Sequence, residues 1–172
     1  YCKYLLQIGV PFSQSYMEAT LARYPLLSRL LVELFEARFD PSTGHESKAD
    51  IKQGMDQFGA QLKALAAGDD TTMNALKQVI DARSGTRERQ VEATRATLLG
   101  LMDRVSSLDE DRILRSFIGV IEATLRTSYY VEYKDAVRKD GGPADYVSYK
   151  LDSSQVPDLP KPRPYSEIWV CG

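Results

Sequence analysis

Residues 107–130 constrain the fold of this 172-residue chain more than any other stretch. Ser107 and Glu110 have the spacing of a capping box, in which the hydroxyl and the carboxylate each accept a hydrogen bond from a backbone N–H at the helix start. Asp109, Glu110 and Asp111 occupy the first turn, where the helix dipole favours acidic side chains. A helix is therefore predicted to begin here.

The apolar residues of this helix cover more than one side of it. They are Ile113, Leu114, Phe117, Ile118, Val120, Ile121 and Leu125. Because Gly119 and Ala123 are small, we expect another helix to approach closely at these positions. The pattern is typical of the central helix of a bundle.

Three further helices are predicted before residue 41. The first covers residues 1–8, and the second covers residues 13–24, where Ser15 and Glu18 have the spacing of another capping box. The third begins at Pro25, because proline suits the first position of a helix, and ends near Asp40.

The middle of the chain predicts an antiparallel helical arm over about residues 45–106. Two segments repeat apolar residues at alternating steps of three and four, which indicates helices that pack along a single seam. The seams are Ile51, Met55, Phe58, Leu62 and Leu65, and Val91, Thr94, Leu98, Leu101 and Val105. A shorter helix from Met73 to Ile80 lies between them.

The C-terminal part differs in character. Residues 146–151 and 165–171 alternate as strands do, and four prolines between residues 155 and 164 exclude helix there. The predicted fold is mainly α: a helical bundle with a protruding antiparallel arm and a short C-terminal β-hairpin. We expect a helical domain at residues 1–135 and an extended, β-containing segment at residues 136–172.

Composition excludes several classes of protein. With 22 basic and 24 acidic residues, the chain lacks the basic excess of a nucleic-acid-binding protein. Its two cysteines, Cys2 and Cys171, are too few for a disulfide scaffold. No apolar run approaches the roughly 20 residues of a membrane span. The chain is therefore predicted to be soluble and cytoplasmic, with neither nucleic acid nor membrane as a partner.

The candidate reactive residues also have structural explanations. His45 is the only histidine and lies in a polar turn, so no histidine-based triad or metal cluster is expected. Asp109, Glu110 and Asp111 point in different directions along a helix and cannot converge on one metal ion. We attribute these acids to capping.

Two larger groups of residues could form binding sites, but a structural role explains each of them better. The arginines at positions 83, 87, 89 and 95 alternate with acids, which indicates a mixed solvated helix face more than a phosphate site. The tyrosines at positions 129, 130, 133, 146 and 149 indicate packing between helix and strand more than a binding platform. Glycine-rich nucleotide motifs are absent. We therefore predict no catalytic, cofactor-binding or metal-binding residue in this chain.

Four blocks of the sequence, in this order, resemble the large bacterial NAD-specific glutamate dehydrogenases. They are PFSQSYMEATLARYP at 11–25, LFEARFDP at 34–41, SLDEDRILRSFIGVIEATLRTSYY at 107–130 and YKLDSSQVPDLPKPRPYSEIWV at 149–170. Cys171 and Gly172 depart from the pattern, because an aromatic residue is expected there.

The resemblance implies a segment of a larger polypeptide that precedes the catalytic portion, with the proline-rich linker leading into its first strand. It implies that the whole protein oxidises L-glutamate to 2-oxoglutarate and ammonia with NAD, that NAD binds outside this chain, and that the protein is a homo-oligomer. The partners of this chain would then be the other domains of the same polypeptide. The alternative is a stand-alone helical adaptor that binds partner helices through its seams and has no enzymatic role.

Overall fold

The computed structural model describes residues 1–45, 47–66, 69–131 and 146–172. These residues form seven helices and three strands, which confirms the prediction of a mainly α chain with strands near its C-terminus. The helices are α1 (Cys2–Gln7), α2 (Gln14–Arg23), α3 (Pro25–Phe39), α4 (Lys48–Leu65), α5 (Asp70–Ala82), α6 (Arg87–Met102) and α7 (Leu108–Ala123), and the strands are β1 (Thr124–Thr127), β2 (Val147–Leu151) and β3 (Glu167–Cys171).

The chain divides into two compact units. Unit 1 combines Tyr1–Tyr16 with Arg115–Gly172, and unit 2 is the continuous segment Met17–Leu114. The predicted domain boundary between residues 135 and 136 lies outside the described residues and stays a prediction.

Unit 2 is helical, and its core is made mainly of leucines. α6 packs most extensively against α3 and α5, and α4 packs against α5 and α3. Six leucines are among its fully buried side chains: Leu30, Leu34, Leu62, Leu76, Leu98 and Leu114. The segment predicted as an arm contains three helices, α4, α5 and α6, and α6 packs against α3 as well as against α5. That this segment protrudes as an arm stays a prediction.

The helix starts follow the expected capping chemistry with two corrections. The N–H of Glu110 donates to the Ser107 hydroxyl at 3.4 Å, as predicted, but the Glu110 carboxylate binds other side chains and does not complete the capping box. At α2 the cap is Ser13, whose hydroxyl accepts from the N–H of Tyr16 at 3.2 Å. The proposed capping role of Ser15 is wrong, because α2 begins one residue ahead of it.

Unit 1 contains a three-stranded antiparallel sheet in the order β1-β2-β3. The predicted hairpin is present as β2 and β3, with Tyr149 opposite Trp169. β1 was not predicted, because Leu125 fitted the apolar pattern of the preceding helix. The helix ends after Ala123, whose carbonyl accepts from the N–H of Asp152 at 2.8 Å, and the chain then pairs with β2.

The close approach expected at Gly119 has a different partner from the one predicted. A Cβ atom at this position would overlap the Cγ of Pro157 and lie 2.9 Å from its Cδ. The proline-rich segment therefore packs on this face of α7 within unit 1, and the prediction of a neighbouring helix is wrong. Glycine is needed here because the proline ring occupies the space of a side chain.

Candidate functional site

The clearest candidate functional site of unit 1 is the contact between α1 and the sheet. The Tyr4 hydroxyl donates to Glu167 Oε2 at 2.6 Å, and the Trp169 indole N–H donates to Gln7 Oε1 at 2.9 Å. Tyr4 and Gln7 lie three residues apart and share one face of α1, whereas Glu167 and Trp169 alternate onto one face of β3. Two side chains of one short helix thus bind two side chains of one strand.

Aromatic rings fill the space around these hydrogen bonds. Trp169 contacts Tyr4 edge-on at a centroid distance of 5.8 Å and stacks on Tyr149 at 5.9 Å. The ring of Tyr1 lies 4.6 Å from that of Tyr149, and its hydroxyl is hydrogen-bonded to Thr124 at 3.0 Å. Because aromatic pairs add about 0.5–1.5 kcal/mol beyond the area they bury, the cluster stabilises this contact in addition to its hydrogen bonds.

The electrostatics of the contact favour a protonated phenol. Burial, followed by the hydrogen bond to Glu167, raises the pKa of Tyr4 well above its usual range, and only 2% of Tyr4 is exposed. Burial also raises the pKa of Tyr149. A phenol that keeps its proton acts as a hydrogen-bond donor and not as a general base. The contact is therefore suited to holding the two elements together.

Unit 2 contains a second polar group of residues, the Arg–Glu–Arg cluster, formed by Arg29, Glu33, Arg83 and Phe58. Glu33 is 2% exposed and lies between Arg29 at 3.3 Å and Arg83 at 3.4 Å. Both guanidinium groups also lie over the Phe58 ring, at 4.8 and 4.6 Å from its centroid. Burial raises the pKa of Glu33 despite the two cations.

A polar cavity of about 220 Å³ adjoins the Arg–Glu–Arg cluster, and Glu36, Asp40 and Asp50 also line it. The carboxylates that line it already bind the protein: Glu36 pairs with Arg29, Asp40 accepts from Ser42, and Asp50 accepts from Ser47. The lining carries four carboxylates and two guanidinium groups, so the cavity is acidic, and its acids are already engaged with side chains of the protein.

The structure does not bring the four predicted arginines together. Arg83 belongs to the Arg–Glu–Arg cluster, whereas Arg87 donates to the carbonyls of Ala37 at 2.9 Å and Asp40 at 2.7 Å. These carbonyls lie at the C-terminal end of α3, so Arg87 caps that helix. Arg89 is exposed and Arg95 is half-buried on α6.

The three consecutive acids of α7 diverge, and one of them has a role that sequence reasoning missed. Glu110 is buried and accepts from Arg23 and from the Tyr24 hydroxyl, both at 2.7 Å. The sequence did not indicate this role, because the spacing between Ser107 and Glu110 already fitted a helix cap. The described residues contain no group of three or more His, Cys, Asp or Glu side chains placed to hold a metal ion.

The remaining candidates are dispersed. His45 is exposed in the loop before α4. Tyr129 and Tyr130 contact each other at 5.0 Å, Tyr149 belongs to the aromatic cluster of unit 1, and Tyr146 is exposed. Tyr133 lies outside the described residues. Within the described part of the chain, none of the helices has the length and apolar character needed to cross a membrane.

Comparison with known protein families identifies both halves of the α1–sheet contact. Residues 1–41 match the family model described as glutamate dehydrogenase, helical motif 3, and residues 97–172 match the one described as bacterial NAD-glutamate dehydrogenase, catalytic domain. The chain belongs to the bacterial NAD-specific glutamate dehydrogenases. The resemblance seen in the four sequence blocks is thereby confirmed.

Individual relatives of this glutamate dehydrogenase chain agree with the family models. It is 34% identical over 171 residues to the NAD-specific glutamate dehydrogenase of Halomonas elongata and 35% identical over 171 residues to that of Mycobacterium tuberculosis. The enzyme of Pseudomonas aeruginosa is 29% identical over 170 residues. Each comparison covers 99% of this chain and 8% of the relative's length. The catalytic-domain match begins inside α6, ahead of residue 136.

Proposed function

We propose that this chain is a structural segment of an NAD-dependent glutamate dehydrogenase, in which α1 holds the β1-β2-β3 sheet of the catalytic domain in place. The whole protein would convert L-glutamate, NAD and water to 2-oxoglutarate, ammonia and NADH. The reactive centre and the NAD site would lie in parts of the polypeptide other than this chain. The chain would contribute shape and contacts between domains.

The observation that carries this proposal is the pair of hydrogen bonds from α1 to β3. Tyr4 and Gln7 lie in the helical-motif match, and Glu167 and Trp169 lie in the catalytic-domain match. Each bond therefore joins the two family segments. A hydrogen bond to a charged group contributes about 1.5–3 kcal/mol and a neutral one about 0.5–1.5 kcal/mol, so the pair is strong enough to fix a short helix on a small sheet.

The chemistry of the contact also favours support over catalysis. Tyr4 is buried and keeps its proton, and Glu167 accepts that proton's hydrogen bond. The Tyr4 phenol therefore offers no free base to a substrate at neutral pH. The Arg–Glu–Arg cluster of unit 2 is likewise engaged with its own side chains.

The isolated 172-residue chain can be used to test the proposal that the reactive centre and the NAD site lie outside it. We expect isothermal titration calorimetry with NAD, and separately with L-glutamate, to give no binding heat. We also expect no NADH formation when both are present. Measurable turnover or NAD binding by this chain would contradict the proposal.

A test of the supporting role uses Tyr4→Phe, which removes the hydroxyl that binds Glu167 and leaves the ring. We expect a loss of about 1.5–3 kcal/mol in the free energy of unfolding, because Glu167 loses a buried donor. The matched control is Tyr165→Phe, since Tyr165 is 100% exposed. Denaturation by urea measures both variants, and equal stabilities would refute the supporting role.

Oligomeric state and cellular location stay predictions. A homo-oligomer of the intact dehydrogenase would be detected by light scattering of the purified full-length protein. The cytoplasmic location would be tested by fractionation of the cells that produce it.

A further inference from the structure

The face of the sheet opposite α1 is exposed and chemically distinctive. Because Glu167 and Trp169 bind α1, the alternating residues Ile168 and Val170 point away from it, and they are 72% and 56% exposed. Lys150 pairs with Ile168 across β2 and β3 and is also exposed. We call this surface, formed by Arg126, Lys150, Ile168 and Val170, the outer sheet face.

The outer sheet face places two positive charges beside each other. Arg126 lies directly opposite Lys150 in the pairing of β1 with β2, and both side chains are exposed. Like charges in this arrangement destabilise a sheet. Neither residue has an acidic partner among the residues that the structure describes. An acid supplied from elsewhere would remove this repulsion.

We infer that the outer sheet face is the docking surface for an amphipathic helix that carries acidic residues. Its apolar side would cover Ile168 and Val170, and its carboxylates would pair with Arg126 and Lys150. The charge pattern selects this chemistry, because an uncharged apolar helix would bury two unpaired cations at a high cost.

The source of the helix is the same polypeptide. The chain spans 8% of the length of its relatives, so most of a dehydrogenase of that size lies outside these residues and can supply the helix. This assignment rests on the proposed function. A second copy of the chain is the alternative occupant that the experiment must distinguish.

The experiment is carbodiimide cross-linking of the intact dehydrogenase, which joins a lysine amine to a carboxylate in direct contact with it. Unlabelled and 15N-labelled protein are co-assembled in equal amounts from dissociated subunits before cross-linking, and the linked peptides are identified by mass spectrometry. We expect Lys150 to be linked, within one copy, to an Asp or Glu of an amphipathic helix outside these 172 residues. The Lys150→Arg variant keeps the charge and should lose the link.

A second variant tests the apolar half of the surface. Ile168→Glu places a carboxylate under the docked helix. We expect at least a tenfold loss of the cross-link between Lys150 and the acidic residue of that helix. Val32→Glu is the matched control, because Val32 is also exposed but lies on α3 in unit 2. That variant should retain the cross-link.

Three outcomes would overturn the inference. The first is a Lys150 link of mixed isotopic mass, which would identify a second copy as the occupant. The second is the absence of any Lys150 link when exposed Lys77 reacts normally with a small carboxylate probe. The third is a link that survives Ile168→Glu unchanged. Each leaves the proposed function intact, because that proposal is tested separately by NAD binding and by Tyr4→Phe in the isolated chain.

Discussion

Units 1 and 2 use different chemistry to join their elements, and they are assembled from the chain in different ways. Unit 1 brings α1 against β3 through hydrogen bonds between residues 162 and 163 positions apart. Unit 2 is a continuous segment, and its Arg–Glu–Arg cluster joins α3 to the end of α5. The folding of unit 1 therefore requires the closure of a long loop, whereas unit 2 can fold from helices that are neighbours in the chain.

The energetic character of the two contacts differs as well. The α1–sheet contact combines a neutral phenol, an indole and an amide with one carboxylate, so most of its polar groups lose little hydration energy on burial. The Arg–Glu–Arg cluster buries a carboxylate between two cations, and the cost of removing these charges from water opposes their attraction. We therefore expect unit 2 to be more sensitive to the loss of one charged partner.

The largest effect is expected for Glu33→Gln in unit 2. The substitution leaves Arg29 and Arg83 partly buried without their carboxylate, so we expect a loss of about 3 kcal/mol in the free energy of unfolding. Glu36→Gln is the matched control, because Glu36 is 39% exposed and its pair with Arg29 should contribute at most about 1 kcal/mol. Urea denaturation followed by circular dichroism compares them. Similar losses would show that burial does not govern the cluster.

A smaller effect is expected for Gly119→Ala in unit 1. The new methyl group would collide with Pro157, and we expect a net loss of about 1–2 kcal/mol after the gain in helix propensity. Gly100→Ala on α6 has no atom within 4 Å of its new Cβ, so it should stabilise the chain by about 0.5–1 kcal/mol. Opposite signs in thermal melts would confirm the packing of the proline-rich segment, and two stabilising substitutions would refute it.

The smallest effect concerns the pKa values of two tyrosines, one in each unit. Burial is the main cause that raises the pKa of Tyr4, whereas the hydrogen bond to Glu110 is the main cause for Tyr24. Glu167→Gln should therefore leave the pKa of Tyr4 clearly raised, and Glu110→Gln should return that of Tyr24 most of the way to about 10. NMR titration of ring-labelled tyrosine measures both pKa values. Equal decreases of the two pKa values would show that burial and the hydrogen bond do not differ in importance between Tyr4 and Tyr24.

The raised pKa of Tyr4 determines the direction in which the stability of the chain changes with pH. The folded state holds a proton on Tyr4 that the unfolded state releases near pH 10, so stability falls as the pH rises from about 10 towards the folded pKa. Tyr4→Phe should make this decline shallower. A decline of unchanged slope, measured by urea denaturation above pH 9, would show that Tyr4 does not contribute to it.

The sequence by itself determined most elements of this dehydrogenase segment and its family. Helices follow from apolar residues at steps of three and four, and local capping residues such as Ser107 mark where they begin. The strands β2 and β3 follow from alternation and from the prolines between them. These signals are local, so one stretch of chain contains all the information that each requires.

Only the tertiary structure decided where α7 ends, what covers Gly119 and which groups meet at the α1–sheet contact. Leu125 fits the pattern of α7, but pairing with β2 provides a backbone partner that continues the chain as β1. Glu110 fits a helix cap, but it is drawn to Arg23 and Tyr24 from a distant segment. Nothing in the sequence near Tyr4 or near Glu167 indicates that these two residues are in contact. Contacts between distant residues depend on the packing of whole elements, and a local pattern does not contain that information.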